Sequence, residues 1–280
     1  STLWDVESGR LLGSLRGSSP EFHPNGQTFL ASLGSSLVEF DSATLETKRR
    51  MNGRPGIVSP IVITRDGRVA VSEELDHTLV VWDLETGEVA RRLPPTRELV
   101  NHMAIDDEGQ RVFICPASSQ VGVWNLETGA QQEPIGADCF SMALDRAGKR
   151  LAIGDHRGII KIWNTESREL EQEVSAFERR VDHVAFVPKT GQLVASSWRG
   201  GAKLFDLTTG DPLITYESPG EVQSLAVSPD GETLALGSGP MPIGGSFGRR
   251  PQPLAPERNV EPTIELRKLA TGERIRTVQT

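Results

Sequence analysis

The sequence predicts an all-β chain built from one four-stranded antiparallel sheet repeated along its length. Three observations predict it. First, a short apolar strand ending in an aromatic, an Asp or Asn, and a Thr-Gly turn recurs through the chain. Its clearest copy is Leu79-Val80-Val81-Trp82-Asp83-Leu84-Glu85-Thr86-Gly87, nearly repeated at residues 121–129. Second, alignment on the aromatic gives Trp4, Phe40, Trp82, Trp124, Trp163 and Phe205, with Arg267 in that slot in a seventh copy, at gaps of 36, 42, 42, 39, 42 and 62 residues. A period of about 40 residues marks a repeat architecture. Third, no long stretch carries helical periodicity, while Val, Ile and aromatic residues cluster in short runs bounded by turn residues.

Each repeat reads as four strands. The first ends in a turn built from Pro, Asp, Asn and Gly: Phe22-His23-Pro24-Asn25-Gly26, Ile63-Thr64-Arg65-Asp66-Gly67, Ile105-Asp106-Asp107-Glu108-Gly109, Leu144-Asp145-Arg146-Ala147-Gly148 and Val227-Ser228-Pro229-Asp230-Gly231. Asp and Asn tolerate left-handed backbone and Gly adopts it freely, so each is a tight hairpin. Residues 186–191 read as the same turn lengthened by one residue. A second apolar strand follows at 28–32, 69–72, 111–115, 150–153, 192–196 and 233–236. The aromatic strand is the third. A fourth, as at 88–93 and 211–216, follows the Thr-Gly turn. The inner strands are nearly continuous apolar runs, as expected where both faces of a sheet are buried.

With Trp82-Asp83, Ser228-Pro229-Asp230-Gly231 and the recurrent Leu-Glu-Thr-Gly in register over nearly the whole chain, the sequence resembles the WD-repeat β-propeller family, in a degenerate, bacterial-type form. The resemblance implies blades whose strands run a to d outward from a central channel, with the aromatic on strand c. Residues 1 to 16 then supply only strands c and d of a first blade, and six further blades end near Arg50, Leu93, Pro134, Val174, Tyr216 and the last residue. The expectation is a single propeller domain over 1–280, seven-bladed with its first blade incomplete. Because Ser1-Thr2-Leu3-Trp4-Asp5 opens inside a repeat strand, the chain reads as a segment of a longer protein. Bacterial relatives often carry such propellers beside a kinase, protease or cytochrome-like domain, which implies an upstream fusion.

Many blades of this family are locked by a hydrogen-bonded set of Trp, a strand-b Ser or Thr, an Asp of the b–c turn and a His of the d–a turn. Here Trp82, Ser72 and Asp76 match it in one blade, without the His. For Trp124 and Trp163 the matching turn positions hold Ser118 and Arg157 in place of the Asp. These residues, with Trp4 and Asp83, are read as structural.

Composition narrows the function. With 37% hydrophobic and 24% charged residues the chain is globular, and no apolar run reaches the length of a membrane span. A net charge of −8 disfavours nucleic acid as a partner, since that binding comes from neutralising phosphates. Cys115 and Cys139, in no paired spacing, read as small buried hydrophobes and not as a disulfide or zinc framework. That fits a reducing compartment and favours a cytoplasmic location.

Little in the chain suggests catalysis. Gly244-Gly245-Ser246-Phe247-Gly248 matches a nucleophile elbow, but no helical pattern follows it as that chemistry requires. Of the five histidines, His23 lies in a hairpin turn, His77 and His156 in b–c turns, and His102 and His183 at equivalent starts of strand a. Without a set of three or four ligands, no metal site is expected, and no cofactor. The alternative reading is a propeller hydrolase, lyase or lactonase at the channel mouth, resting on His102, His183, Asp138 and Asp182.

The leading expectation is a non-enzymatic protein-interaction scaffold. Residues 239–262, inserted between strands b and c of the last blade, hold six of the 18 prolines and read as an interaction arm. By the blade geometry the resemblance implies, the arm shares a face with Arg54, Arg97, Arg157, Arg179, Arg180 and Arg199, and also with Glu98, Asp138 and Asp182. Arginine suits bidentate pairing with carboxylates. The expected partner is therefore an acidic or mixed-charge protein segment, with Phe247 as an apolar anchor and Arg249 and Arg250 as its charge partners.

Overall fold

The computed structural model describes residues 2–15, 17–53, 57–96, 98–106, 108, 110–116, 120–136, 138–198, 200–218, 221–239 and 262–279. They belong to two compact units, one of Ser1–Asp155 with Lys161–Gln172 and the other of His156–Ile160 with Glu173–Thr280. Every described element is a strand or a turn. A two-stranded sheet of β1 (Thr2–Trp4) and β2 (Leu11–Ser14) comes first. A four-stranded sheet follows from β3 (Ser18–Phe22), β4 (Thr28–Leu33), β5 (Ser36–Asp41) and β6 (Thr47–Asn52). The next is β7 (Ile57–Ile63), β8 (Val69–Glu74), β9 (Leu79–Asp83) and β10 (Val89–Arg92). Then come β11 (Val100–Ile105), β12 (Arg111–Pro116), β13 (Val121–Asn125) and β14 (Gln131–Ile135), and the set β15 (Ser141–Leu144), β16 (Arg150–Gly154), β17 (Ile159–Asn164) and β18 (Leu170–Ser175). The last two sheets are β19 (His183–Phe186), β20 (Gln192–Ser197), β21 (Gly201–Asp206) and β22 (Pro212–Tyr216), then β23 (Glu221–Val227), β24 (Thr233–Gly239), β25 (Thr263–Lys268) and β26 (Arg274–Gln279).

Strand order within each sheet is sequence order, so these are the four-stranded antiparallel blades of a propeller: among the described residues there are six, with β1–β2 standing where strands c and d of another were expected. In the first unit β3 lies beside β7, β7 beside β11 and β11 beside β15; in the second, β19 lies beside β23. The second and third strands of a blade are covered on both faces. Residues 70–74 and 79–82 are all buried, whereas the outer strand β10 is largely exposed. Strand b runs further than its apolar letters suggest, since β8 includes buried Glu73 and Glu74.

Turn chemistry follows the sequence closely. Gly26, Gly67, Gly148 and Gly231 close the a–b hairpins at φ between 67° and 82°. Their N–H groups donate to carbonyls three residues back at 2.8 to 2.9 Å. In the lengthened turn both Lys189 and Gly191 stand at φ 70°, which absorbs the extra residue. The Thr-Gly turn has a second reason for its glycine. Gly87 is at φ 77°, and a Cβ there would come 3.0 Å from the Arg49 guanidinium. Arg49, from the preceding blade, donates to the Leu84 and Glu85 carbonyls at 2.5 and 3.1 Å and to Glu39 at 3.2 Å. Arg91 repeats the reach onto Thr128 O at 3.4 Å, one blade on.

In four sheets the aromatic slot packs against the sheet before it. Phe40 lies with Phe29 and Val38 against Leu3 and Leu15. Trp82 shares a cluster with Leu30, Leu37 and Met51 of the previous blade, and Trp124 does so with Val71, Leu79 and Leu93. Trp163 is partly buried against the cluster of Phe113, Val121 and Ile135. In the last blade the slot holds Arg267, and the core adjusts by pairing charge. Glu265, 1% exposed, accepts from Arg267 Nε and Nη2 at 3.0 and 2.6 Å, and Arg267 also donates to Glu217 O at 2.6 Å.

The cysteines depart from the sequence reading. Cys115 of β12 and Cys139, in the connection from β14 to β15, are disulfide-bonded with Cα atoms 5.7 Å apart, and both are fully buried. They are not free buried thiols, and with that correction the argument for a reducing compartment lapses, because disulfides persist in oxidising surroundings. Residues far apart in sequence, in no recognisable spacing, meet because strand b of one blade and the lead into strand a of the next pack into one cluster.

Two outcomes are expected. The bond spans 24 residues, for which chain entropy predicts about 3.5 kcal/mol of stabilisation, so reductant present during denaturant titration should lower the unfolding free energy by roughly that amount. Unchanged midpoints with and without reductant would show that the bond constrains nothing. Glu265→Ala strands the Arg267 charge against the core and should cost about 3 to 5 kcal/mol, whereas Arg274→Ala, whose guanidinium is 60% exposed beside the same carboxylate, should cost no more than about 1 kcal/mol. Equal melting of the two variants would contradict this account of the aromatic slot.

Candidate functional site

In an a-b-c-d antiparallel sheet the b–c and d–a connections lie at one end of the strands and the a–b and c–d turns at the other. The candidate partner residues belong to the b–c and d–a connections. Of those named from the sequence, Arg157, Arg179 and Arg180 are described; Arg54, Arg97, Arg199, Phe247, Arg249 and Arg250 lie outside the described residues, as does Ser246 of the elbow-like motif. Arg157 and Arg179 are exposed. Arg180 is partly so, and its Nε donates to Asp182 Oδ1 at 2.7 Å.

All three arginines belong to the second unit, where the turn after β16 meets the connection from β18 to β19. Gly158 O accepts from the Ala176 and Phe177 N–H groups, each at 3.0 Å. A Cβ on Gly158 would stand 2.0 Å from Phe177 O and 2.5 Å from Arg179 O, so only glycine lets these segments touch. Asp182 is 7% exposed, and its second oxygen accepts the Trp198 N–H at 2.6 Å. Lys203 Nζ sits 4.9 Å from the centre of the Phe177 ring. Trp198, Phe177 and Asp182 are contributors that repeat alignment does not single out for binding. The one local signal is Arg-Gly in two successive b–c turns, Arg157-Gly158 and Arg199-Gly200.

The residues read as structural sit as follows. The Trp82 indole N–H donates to Ser72 Oγ at 2.9 Å, and both residues are fully buried. Asp76 is exposed and accepts the Thr78 N–H at 3.0 Å, capping its own turn. Trp124 and Trp163 have buried indole N–H groups with no hydrogen-bond partner among the described residues. The cause is legible: ten residues before each Trp, where Ser72 serves Trp82, stand Ile114 and Ile153. Trp4 is partly buried and donates to Thr2 Oγ1 at 3.1 Å. Asp83 Oδ1 accepts the Glu85 and Thr86 N–H groups at 2.8 and 2.9 Å, and the Thr86 N–H foremost holds its carboxyl below the usual range.

The catalytic alternative named four residues. His102 is on β11 in the first unit and His183 on β19 in the second. His183 Nε2 lies 2.8 Å from Gln223 O, and burial lowers its pKa. Asp182 is engaged by Arg180 and Trp198 as described. Asp138 stands at φ 59° in the connection that carries Cys139. Among the described residues no group of three His, Cys, Asp or Glu is placed to hold a metal ion.

What the strands and their repeat define is an all-β propeller of four-stranded antiparallel blades. No family model matches the chain. Over 102 residues, 36% of the chain, it is 28% identical to WD repeat-containing protein SL1-17 of Schistosoma mansoni, and the match covers 34% of that protein. The chain thus matches about a third of the length of that relative. Blade architecture and this similarity together support the WD-repeat propeller family.

One titratable group escapes the sequence reading. Glu21 occupies a position of strand a that successive blades fill with Val62, Ala104 and Ala143. Burial raises its pKa from 4.5 to about 7. The folded state therefore holds a proton that the unfolded chain has lost, and stability should fall as pH rises from 4.5 to about 7. Glu21→Gln should remove that fall, as read from denaturation midpoints across the window; an identical pH profile in the variant would assign it to other groups.

Proposed function

We propose that the chain is a non-enzymatic protein-interaction platform that binds through its b–c and d–a connections. At the general level a WD-repeat propeller supports such a scaffold role. A rigid set of sheets lets loops vary without disturbing the fold, and function is expected to sit in those loops. The observation that carries the reading is the meeting of Arg157, Arg179 and Arg180 on loops pinned by main-chain hydrogen bonds, in a chain whose net charge is −8. Exposed arginines suit an acidic or mixed-charge protein segment, whereas a chain with net charge −8 offers few of the many phosphate contacts that nucleic-acid binding draws on. Residues 239–262 are assigned to the same platform as an interaction arm, with Phe247 as apolar anchor and Arg249 and Arg250 pairing with carboxylates.

Partners recovered by pull-down should be lost when residues 239–262 are replaced by a short Gly-Ser loop, while circular dichroism and melting stay unchanged. Retention of every partner would reduce the arm to an ordinary connection.

A further inference from the structure

Three loops of the second unit converge on Phe177. The turn at Gly158 bonds to its main chain, and a Cβ on Gly200, in the turn after β20, would stand 2.7 Å from its ring. Lys203 covers that ring and donates to Ala176 O at 2.9 Å, which fixes the connection from β18 to β19 from a third side. On this rigid base Asp182, buried and with both oxygens engaged, holds the Arg180 guanidinium and the Trp198 main chain on one carboxylate. Arg157 and Arg179 are exposed on the two loops that Gly158 joins.

We propose that Arg157, Arg179, Arg180 and Trp198 form a docking point for a short acidic segment of another protein, with arginines pairing to its carboxylates and an apolar side chain resting on Trp198. This rests on the platform reading and adds a place and a chemistry to it, independent of residues 239–262. Two features favour this occupant. Arginine held by a buried carboxylate loses little rotamer freedom on binding, and its planar fork matches carboxylate geometry. Tryptophan and arginine are both residue types enriched where interface energy concentrates. Nucleic-acid affinity comes from neutralising many phosphates, and three arginines, one of them already paired with Asp182, supply few of those contacts.

The test uses a fluorescein-labelled 15-residue peptide of repeating Glu-Glu-Phe, its Glu-Glu-Ala counterpart and a 15-nucleotide single-stranded RNA, read by anisotropy on the full chain. Arg179→Glu, alone and combined with Arg157→Glu, should weaken the Phe peptide, about tenfold or more for the pair, with circular dichroism and melting checking that each variant is folded. Trp198→Ala should erase the preference for the Phe over the Ala peptide. If the charge-reversed protein binds as the unmodified one does, or the RNA binds more tightly than either peptide, the docking point is wrong. Should peptide binding survive charge reversal yet vanish when residues 239–262 are replaced, this cluster falls and the platform reading stands. If neither variant alters binding to the Phe peptide, both fall.

Discussion

Burying both faces of every inner sheet is the constraint on which the rest of the chain depends. A lone four-stranded sheet with apolar strands b and c cannot cover itself, so each blade needs another on either side. The aromatic slot meets that need: Trp82 and Trp124 project from strand c into the cluster of the preceding blade and are almost wholly removed from water. Where the slot holds Arg267, its packing place is kept only because Glu265, on the same face two residues earlier, neutralises it and Glu217 O takes a further N–H. Charge pairing there stands in for apolar area.

Main-chain order supplies what packing leaves open. The Thr-Gly turn closes strands c and d at left-handed backbone and also leaves room for the arginine of the preceding blade, as Gly87 does for Arg49 and Gly129 for Arg91. The same glycine therefore serves turn and interface. The d–a connections are pinned likewise, by the Cys115–Cys139 bond in the first unit and by Gly158 against Phe177 in the second. Loops held this firmly present side chains in set positions, which lowers the ordering cost of any binding they take part in. The unmatched indoles of Trp124 and Trp163 show the other side of repeat divergence: Ile114 and Ile153 add apolar packing and leave an N–H unanswered.

By itself the sequence determined the blade. Period, turn residues and the aromatic slot are local properties, written within one repeat and reinforced by each copy, so strand order and hairpin glycines could be reached from spacing, and the Trp82 to Ser72 hydrogen bond from the family resemblance. Only tertiary structure decided what depends on neighbouring repeats. Cys115 and Cys139 look unrelated along the chain and bond because two blades share a core. Asp76, in the right place for the family's hydrogen-bonded set, turns outward to cap Thr78. Glu21 is an ordinary carboxylate in the sequence and gains its raised pKa from burial on an inner strand. Arg180 and Trp198 come together on Asp182 from different connections, a meeting that no repeat period encodes because loops vary where strands do not.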